Sequence, residues 1–282
     1  MNRALFDELG VEHPNYARIH ALLRSGADIN ALVKKGDSYL TAYWHMEGGI
    51  GKHNYWWNIM HSMWGTVNLE AKLAAFRAHY YPLLDILETY DFNIMNGSSF
   101  RMAADGTERG HMFAGFRFLD LSEFQILAKY DMPRFVQFFE RLYFSKGHSV
   151  DDTSRIGIPY LSPLLWSVPE SYKPAVILYF LMKGARWNNP SWRQPGYTAR
   201  TTNFAAQVSV DAAASMIAKL QLQLGVNFAV GSQGANLRGF LVAAYGAIGA
   251  VAILEKVVGI VGLQRRRHIL LQRHRHLLSR LS

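Results

Sequence analysis

The sequence predicts an all-α fold: a solenoid of helix–turn–helix repeats with irregular insertions and a C-terminal capping helix. Three observations predict it. An apolar helix end that stops on glycine, Leu22-Leu23-Arg24-Ser25-Gly26-Ala27-Asp28-Ile29-Asn30, recurs along the chain. Its copies are 37 residues apart from Gly147 to Gly184 and 41 apart from Gly184 to Gly225, periods that belong to stacked helical repeats. The composition, 50% apolar and 18% charged over 282 residues, suits a continuous core and excludes a disordered chain.

Each copy carries the same physics. Paired apolar residues face the core on the last helical turn. Glycine ends the helix in the left-handed conformation without a Cβ penalty. The apolar residue three places on folds back, and a final Asn or Asp bonds nearby backbone. Tyr143-Phe144-Ser145-Lys146-Gly147-His148-Ser149-Val150-Asp151 and Phe180-Leu181-Met182-Lys183-Gly184-Ala185-Arg186-Trp187-Asn188 repeat the shape. Leu224-Gly225-Val226-Asn227-Phe228 is a shorter copy. Ile86-Leu87-Glu88-Thr89-Tyr90-Asp91-Phe92-Asn93 lacks the glycine and places Tyr90 at its position, 64 residues after Gly26.

In chain order, residues 3–9 read as a short helix inside an N-terminal cap, 1–14, and residues 15–25 as the first outer helix. Gly36-Asp37-Ser38-Tyr39-Leu40-Thr41-Ala42 reads as a turn opening a second, short helix. Residues 54–64 and 69–90 read as longer helices, the second kinked or divided at Pro82. Residues 94–118 hold four glycines and read as a loop, a finger extended from the stack. Residues 122–145 are helical with Pro133 near a helix start. Leu161-Ser162-Pro163-Leu164-Leu165 opens another helix, with Pro163 in the first turn where its missing N–H costs nothing. Residues 188–202 form a second long loop. Repeats run over 15–263 in a single domain, and 264–282 form the basic helix that caps the open end.

The pattern resembles the ankyrin repeat, in which Gly-x-Thr-Pro-Leu-His-x-Ala opens a unit and Leu-Leu-x-x-Gly-Ala-Asp-x-Asn closes it. Gly26-Ala27-Asp28-Ile29-Asn30 matches the closing signature, and Gly184-Ala185-Arg186-Trp187-Asn188 departs by Arg for Asp. Ser162-Pro163-Leu164 stands for Thr-Pro-Leu, with Leu165 in place of His. The resemblance is good over 15–45 and 140–190 and faint elsewhere. It implies scaffold roles for Gly26, Asn30, Gly147, Pro163, Gly184 and Asn188, and a concave binding surface of turns and inner helices.

The formal net charge is +9. Six of the excess charges, Arg265, Arg266, Arg267, Arg273, Arg275 and Arg280, lie in the last 18 residues, and no acid follows Glu255. The charge is therefore a property of the tail, and nucleic acid is not the expected partner. The start, MNRALFDELG, has acids and no long apolar run, unlike a secretory signal peptide, so a cytoplasmic location is expected. Phe240 to Leu263 approaches the length and composition of a membrane span. Its adjacent Glu255 and Lys256 and its glycines favour a pair of buried helices, with membrane contact through the C-terminal region left open.

Chemistry-bearing patterns are weak. There is no cysteine, which removes disulfides, thiolate metal sites and cysteine nucleophiles. Gly36-Asp37-Ser38 continues with Tyr39 rather than the Leu of Gly-Asp-Ser-Leu hydrolases. Gly48-Gly49-Ile50-Gly51-Lys52 lacks the first glycine of a phosphate loop and has His53 after the lysine. His45, His53 and His61 are spaced by eight, not by the four that metal ligation on a helix favours. No enzyme, cofactor or metal is expected.

The most distinctive stretch is aromatic. Trp44, Trp56, Trp57 and Trp64 are four of the seven tryptophans. Trp57, His61 and Trp64 share a helical face and read as core. Trp44, His45, Lys52, His53, Tyr55 and Trp56 are the candidate partner-binding residues, because Trp and Tyr anchor protein interfaces. The expected function is a non-enzymatic protein-binding scaffold with an acidic partner. Bacterial proteins resembling it include immunity proteins that neutralise a cognate toxin, the preferred reading. The alternatives are a secreted effector that engages a host protein, and a membrane- or nucleic-acid-associated protein acting through 240–282.

Overall fold

A computed structural model describes residues 1–11, 13–35, 38–40, 69–93, 100–102, 108–110, 122–150, 173–186, 200–225 and 232–278. The described residues are mostly helical, and the chain divides into two compact units, Met1–Pro169 and Glu170–Ser282, where the sequence led us to expect one continuous repeat domain.

The first unit opens with α1 (Asn2–Leu9) and α2 (Tyr16–Arg24). Asn15 caps α2, its side chain accepting from the Arg18 N–H at 3.1 Å. Glu8 accepts from the Asn15 N–H at 2.8 Å and pairs with Arg18 at 3.4 Å, so the end of α1 fixes the start of α2. Leu5, Phe6, Leu9, Ile19 and Leu23 form the buried faces.

Strands β1 (Val33–Lys35) and β2 (Ser38–Leu40) follow as an antiparallel hairpin, with Lys35 opposite Ser38. This corrects the expected helix start at 36–42. Val33, Tyr39 and Leu40 suit a strand, and a two-residue connection led by glycine is what tight hairpins favour.

Helix α3 (Leu69–Thr89) runs unbroken through Pro82, so the proline does not divide it. Its core face carries Leu73, Phe76, Tyr80, Leu83, Leu84, Ile86 and Leu87. A second hairpin follows, β3 (Phe100–Met102) and β4 (Glu108–Gly110), inside the stretch expected to be a plain loop. The two hairpins join through β2 and β3 into one antiparallel sheet of order β1-β2-β3-β4.

The helical stretch expected at 122–145 holds two helices, with Pro133 near the start of the second as its position predicts. Helix α4 (Ser122–Tyr130) and α5 (Met132–Leu142) part at Asp131. Asp131 caps α5, accepting from the Arg134 N–H at 3.1 Å, and Pro133 sits in the first turn, where it lacks only a hydrogen bond that no helix makes. Phe135, Val136, Phe138, Phe139 and Leu142 are buried. A short 3₁₀ turn, Phe144–Lys146, leads to Gly147.

The second unit holds α6 (Lys173–Met182), α7 (Arg200–Gln207), α8 (Val210–Leu224) and α9 (Ser232–Leu278). Helix α7 begins inside the stretch expected as a loop at 188–202. Ser209 caps α8, accepting from the Ala212 N–H at 3.2 Å. Buried Ala213, Ala214, Ile217 and Ala218 give α8 a low-relief face, and α9 packs along it. Phe204 of α7 meets Phe240 edge-on at 5.0 Å, and the Tyr245 hydroxyl donates to the Val208 carbonyl at 2.6 Å.

Helix α9 is broken at Gly246, whose φ of 73° and ψ of 171° are non-helical, which agrees with the pair of helices expected there, but it continues past residue 263 with no boundary before the basic tail. The stretch expected to be well buried is half exposed. Ala250, Ile253, Val257 and Val261 are buried, whereas Ile248, Val251, Val258 and Leu263 are exposed. Within the stretch expected to cap the open end, Ile269 and Leu270 are exposed.

Candidate functional site

Three turns of the first unit are laid side by side and linked by side chains. The first is the glycine-terminated end of α2. Gly26 has φ 97°; its N–H donates to the Leu23 carbonyl and the Ala27 N–H to the Leu22 carbonyl, at 3.1 and 3.0 Å. This paired reverse bonding satisfies carbonyls that the helix end leaves open. Ala27 and Ile29 then fold into the core, and Asp28 accepts from the Asn30 N–H at 2.8 Å.

The second turn closes α3. The Phe92 N–H donates to the Leu87 carbonyl at 2.9 Å, as Ala27 does to Leu22. Asp91, with φ 56°, is the left-handed residue. The glycine-equivalent position is thus Asp91 and not Tyr90, a shift of one residue. Asp tolerates this region because its short polar side chain bonds locally.

The third turn is looser. At Gly147, φ 82°, the 3₁₀ turn replaces the tighter ending, with the Gly147 N–H donating to the Phe144 carbonyl at 3.1 Å. In the second unit Gly184, φ 100°, repeats the first pattern, with Ala185 donating to Phe180 at 2.9 Å. Gly225, φ 67°, ends α8.

Asn30 connects the first two turns. Its side-chain oxygen accepts from the Asn93 N–H at 2.6 Å, and its amide donates to the Asp91 carbonyl at 3.2 Å. His20 Nδ1 and the Tyr90 hydroxyl lie 2.9 Å apart, joining α2 to the end of α3. The Asp91 carboxylate pairs with Lys146 of the third turn. In the second unit the Asn236 amide donates to the Gly184 carbonyl at 3.2 Å.

Each of the first two turns is followed by a hairpin. Register places Lys35, Ser38, Arg101 and Arg109 in one cross-strand row and Lys34, Tyr39, Phe100 and Gly110 in the next. Arg101 and Arg109 are direct partners in the register. This row was not foreseen. Its signal was Gly36-Asp37 between two short β-prone triplets.

Behind the turns, a polar cluster clamps α3 to α5. Arg134 pairs with Glu88 and, at 2.8 Å, with Asp85. Gln137 donates to Glu88 at 3.4 Å and Arg141 to the Glu88 carbonyl at 3.3 Å. The Tyr81 hydroxyl donates to Asp131, and the Arg134 guanidinium lies 5.6 Å from the Tyr81 ring centre. Burial, then the hydrogen bond and charge of Asp131, push the Tyr81 phenol up to about 12, against the opposing pull of Arg77. These groups spend their bonding capacity on one another, and the cluster is a clamp between helices.

Of the residues singled out in the sequence, Trp44, His45, Lys52, His53, Tyr55, Trp56, Pro163 and Asn188 lie outside the described residues. Trp44 follows the end of β2 by four positions in the chain. Gly26, Asn30, Gly147 and Gly184 sit in turns. Arg265, Arg266 and Arg267 are exposed on α9, and Arg273 and Arg275 belong to its last turns. Among the described residues no group of three His, Cys, Asp or Glu is placed to hold a metal. Comparison with family models, curated proteins and solved structures finds no match to this chain.

Proposed function

We propose that the chain is a non-enzymatic scaffold of divergent ankyrin-like repeats whose first unit holds a protein partner with an acidic surface. The observation that carries this reading is the recurrence of one structural order. Helix, left-handed turn and hairpin occur at α2–β2 and again at α3–β4, with side chains tying one turn to the next. Repeats of this kind present extended surfaces for binding.

The cationic register row supports the sign of the partner. The aromatic segment that begins just after β2 supplies candidate anchors in Trp44 and Trp56.

Among partners of this chemistry, a toxin neutralised by its immunity protein is the preferred biological reading, and a host protein engaged by an effector is the alternative. Affinity capture with the full chain from its native cell tests both. A tight one-to-one complex, weakened at least tenfold by Arg101→Gln with Arg109→Gln, is the expected result. A complex indifferent to both substitutions and to Trp44→Ala with Trp56→Ala, in a protein that still folds, contradicts the proposed surface.

A further inference from the structure

The part of α9 from Gly246 to Val261 has a buried side and an exposed side, and beyond Val261 the helix is exposed all round. At about 100° per residue, Ala250, Ile253, Val257 and Val261 form one side, and all four are buried. Ile248, Val251, Val258, Leu263, Ile269 and Leu270 gather on the other side in an arc about 140° wide. All six are exposed, Ile248 at 88% and Leu263 at 68%. Lys256, Arg265 and Arg267, all exposed, fall at or beyond the margins of this arc, and Arg266 lies on it. No acid follows Glu255, which also lies on the arc.

An exposed apolar strip that carries Arg266 and is flanked by further cations, on a helix whose opposite side is occupied as far as Val261, matches one kind of surface. We propose that residues 247–271 of α9 dock in the plane of an anionic lipid bilayer, with the apolar arc in the acyl boundary and Arg265, Arg266 and Arg267 among the lipid phosphates. This rests on the described helix and is independent of the protein-binding reading above.

A membrane surface fits better than the other polyanion, nucleic acid. Phosphodiester chains would satisfy the arginines but would leave Ile248, Val251 and Val258 against charged backbone. A bilayer interface takes both groups at once.

Lying flat fits better than spanning. The segment is long and apolar enough to cross a membrane, with 22% of its apolar window buried, but its buried side is already packed on α6, α7 and α8. A span needs about 20 residues that are apolar all round. To become one, α9 would have to leave α8, baring Ala213, Ala214 and Ile217 and breaking the Lys256–Asp211 pair. Docking in the plane keeps every one of these contacts.

The full chain, sedimented with vesicles, tests the proposal. Binding is expected to vesicles of phosphatidylcholine with phosphatidylserine, and to be much weaker to phosphatidylcholine alone. Arg265→Gln, Arg266→Gln and Arg267→Gln together should weaken it by about a hundredfold. Val258→Ser, at a site 63% exposed and so harmless to the fold, should weaken it by about tenfold. The absence of native cysteine permits clean single labels. A polarity-sensitive label at Val258→Cys should enter an apolar environment on vesicle binding, while one at Gln264→Cys stays in water. Failure to bind the anionic vesicles, equal binding to both compositions, or no loss in Val258→Ser with an unchanged thermal transition overturns the proposal. Labels at 258 and 264 that become apolar together overturn the in-plane geometry in favour of a span.

Discussion

Arg134 and Glu88 meet as an ion pair between α5 and α3 with only 8% and 4% of their side chains exposed. Two opposite charges withdrawn from water depend on each other, because either alone would be a buried charge without compensation. Glu88 also accepts from Gln137, and Asp85 takes the second guanidinium nitrogen of Arg134. Glu88→Ala should therefore destabilise the first unit by about 3–5 kcal/mol, read from denaturant midpoints. Pairing Glu88→Leu with Arg134→Leu should recover most of that loss. A double variant no better than Glu88→Ala would show that the pair is not an isolated charge problem.

Asn30 offers a gentler cut. Its side chain makes two hydrogen bonds between the first two turns and is only half-buried. Asn30→Ala should cost about 1–2 kcal/mol, visible as a lowered thermal midpoint. Asn30→Asp, which keeps the acceptor and loses the amide donor, should fall between the two.

The left-handed positions predict effects of opposite sign. At Gly26, φ 97°, a Cβ would meet nothing within 4 Å, so the penalty for Gly26→Ala is conformational alone. It should be about 1–2 kcal/mol. At Asp91 the same region is occupied by a residue that tolerates it less well than glycine. Asp91→Gly relieves that cost while breaking an exposed pair with Lys146, 68% and 40% exposed, and such pairs contribute little. Its stability change should lie within about 0.5 kcal/mol of zero or be favourable. Equilibrium denaturation of both variants checks the contrast.

Tyr81 gives a pH signature. Its folded-state phenol titrates near 12, above the ordinary value of 10.0. The folded state thus holds this proton while the unfolded chain releases it. The contribution is complete below pH 10 and is lost as pH rises through about 12, following the linkage between proton binding and stability. Ultraviolet titration should show late-ionising phenols at Tyr81 and Tyr245, both pushed up to about 12; Tyr81→Phe should remove one of them, and that variant should lose less stability between pH 9 and the alkaline limit.

The helix ends were legible because their chemistry is local. Gly26 and Gly184 announce a left-handed turn on their own, and each sits where the spacing put it. Asp91 was misplaced by one residue because no glycine marks it. Only the Phe92-to-Leu87 hydrogen bond fixes the register. Ser38–Leu40 was misread because three residues carry no periodicity, and β2 is held partly by β3, about 60 positions away in the chain. The exposed side of α9 was hidden for another reason. Apolar residues on both sides of a helix read as burial on both sides, and only α8 shows which side is covered. The buried Arg134–Glu88 pair has no sequence signal, since 46 residues separate its members.

The links between neighbouring turns have one more consequence. The left-handed positions of residues 26, 91, 147, 184 and 225 are unevenly spaced, yet in the first unit the side-chain ties sit at the turns themselves. Chain added between two turns lies outside these ties, and lengthening a loop costs only about 0.6 kcal/mol per doubling. Such a protein tolerates insertion and drift between its fixed points. Variants with longer or shorter connections should thus keep the same ties from turn to turn.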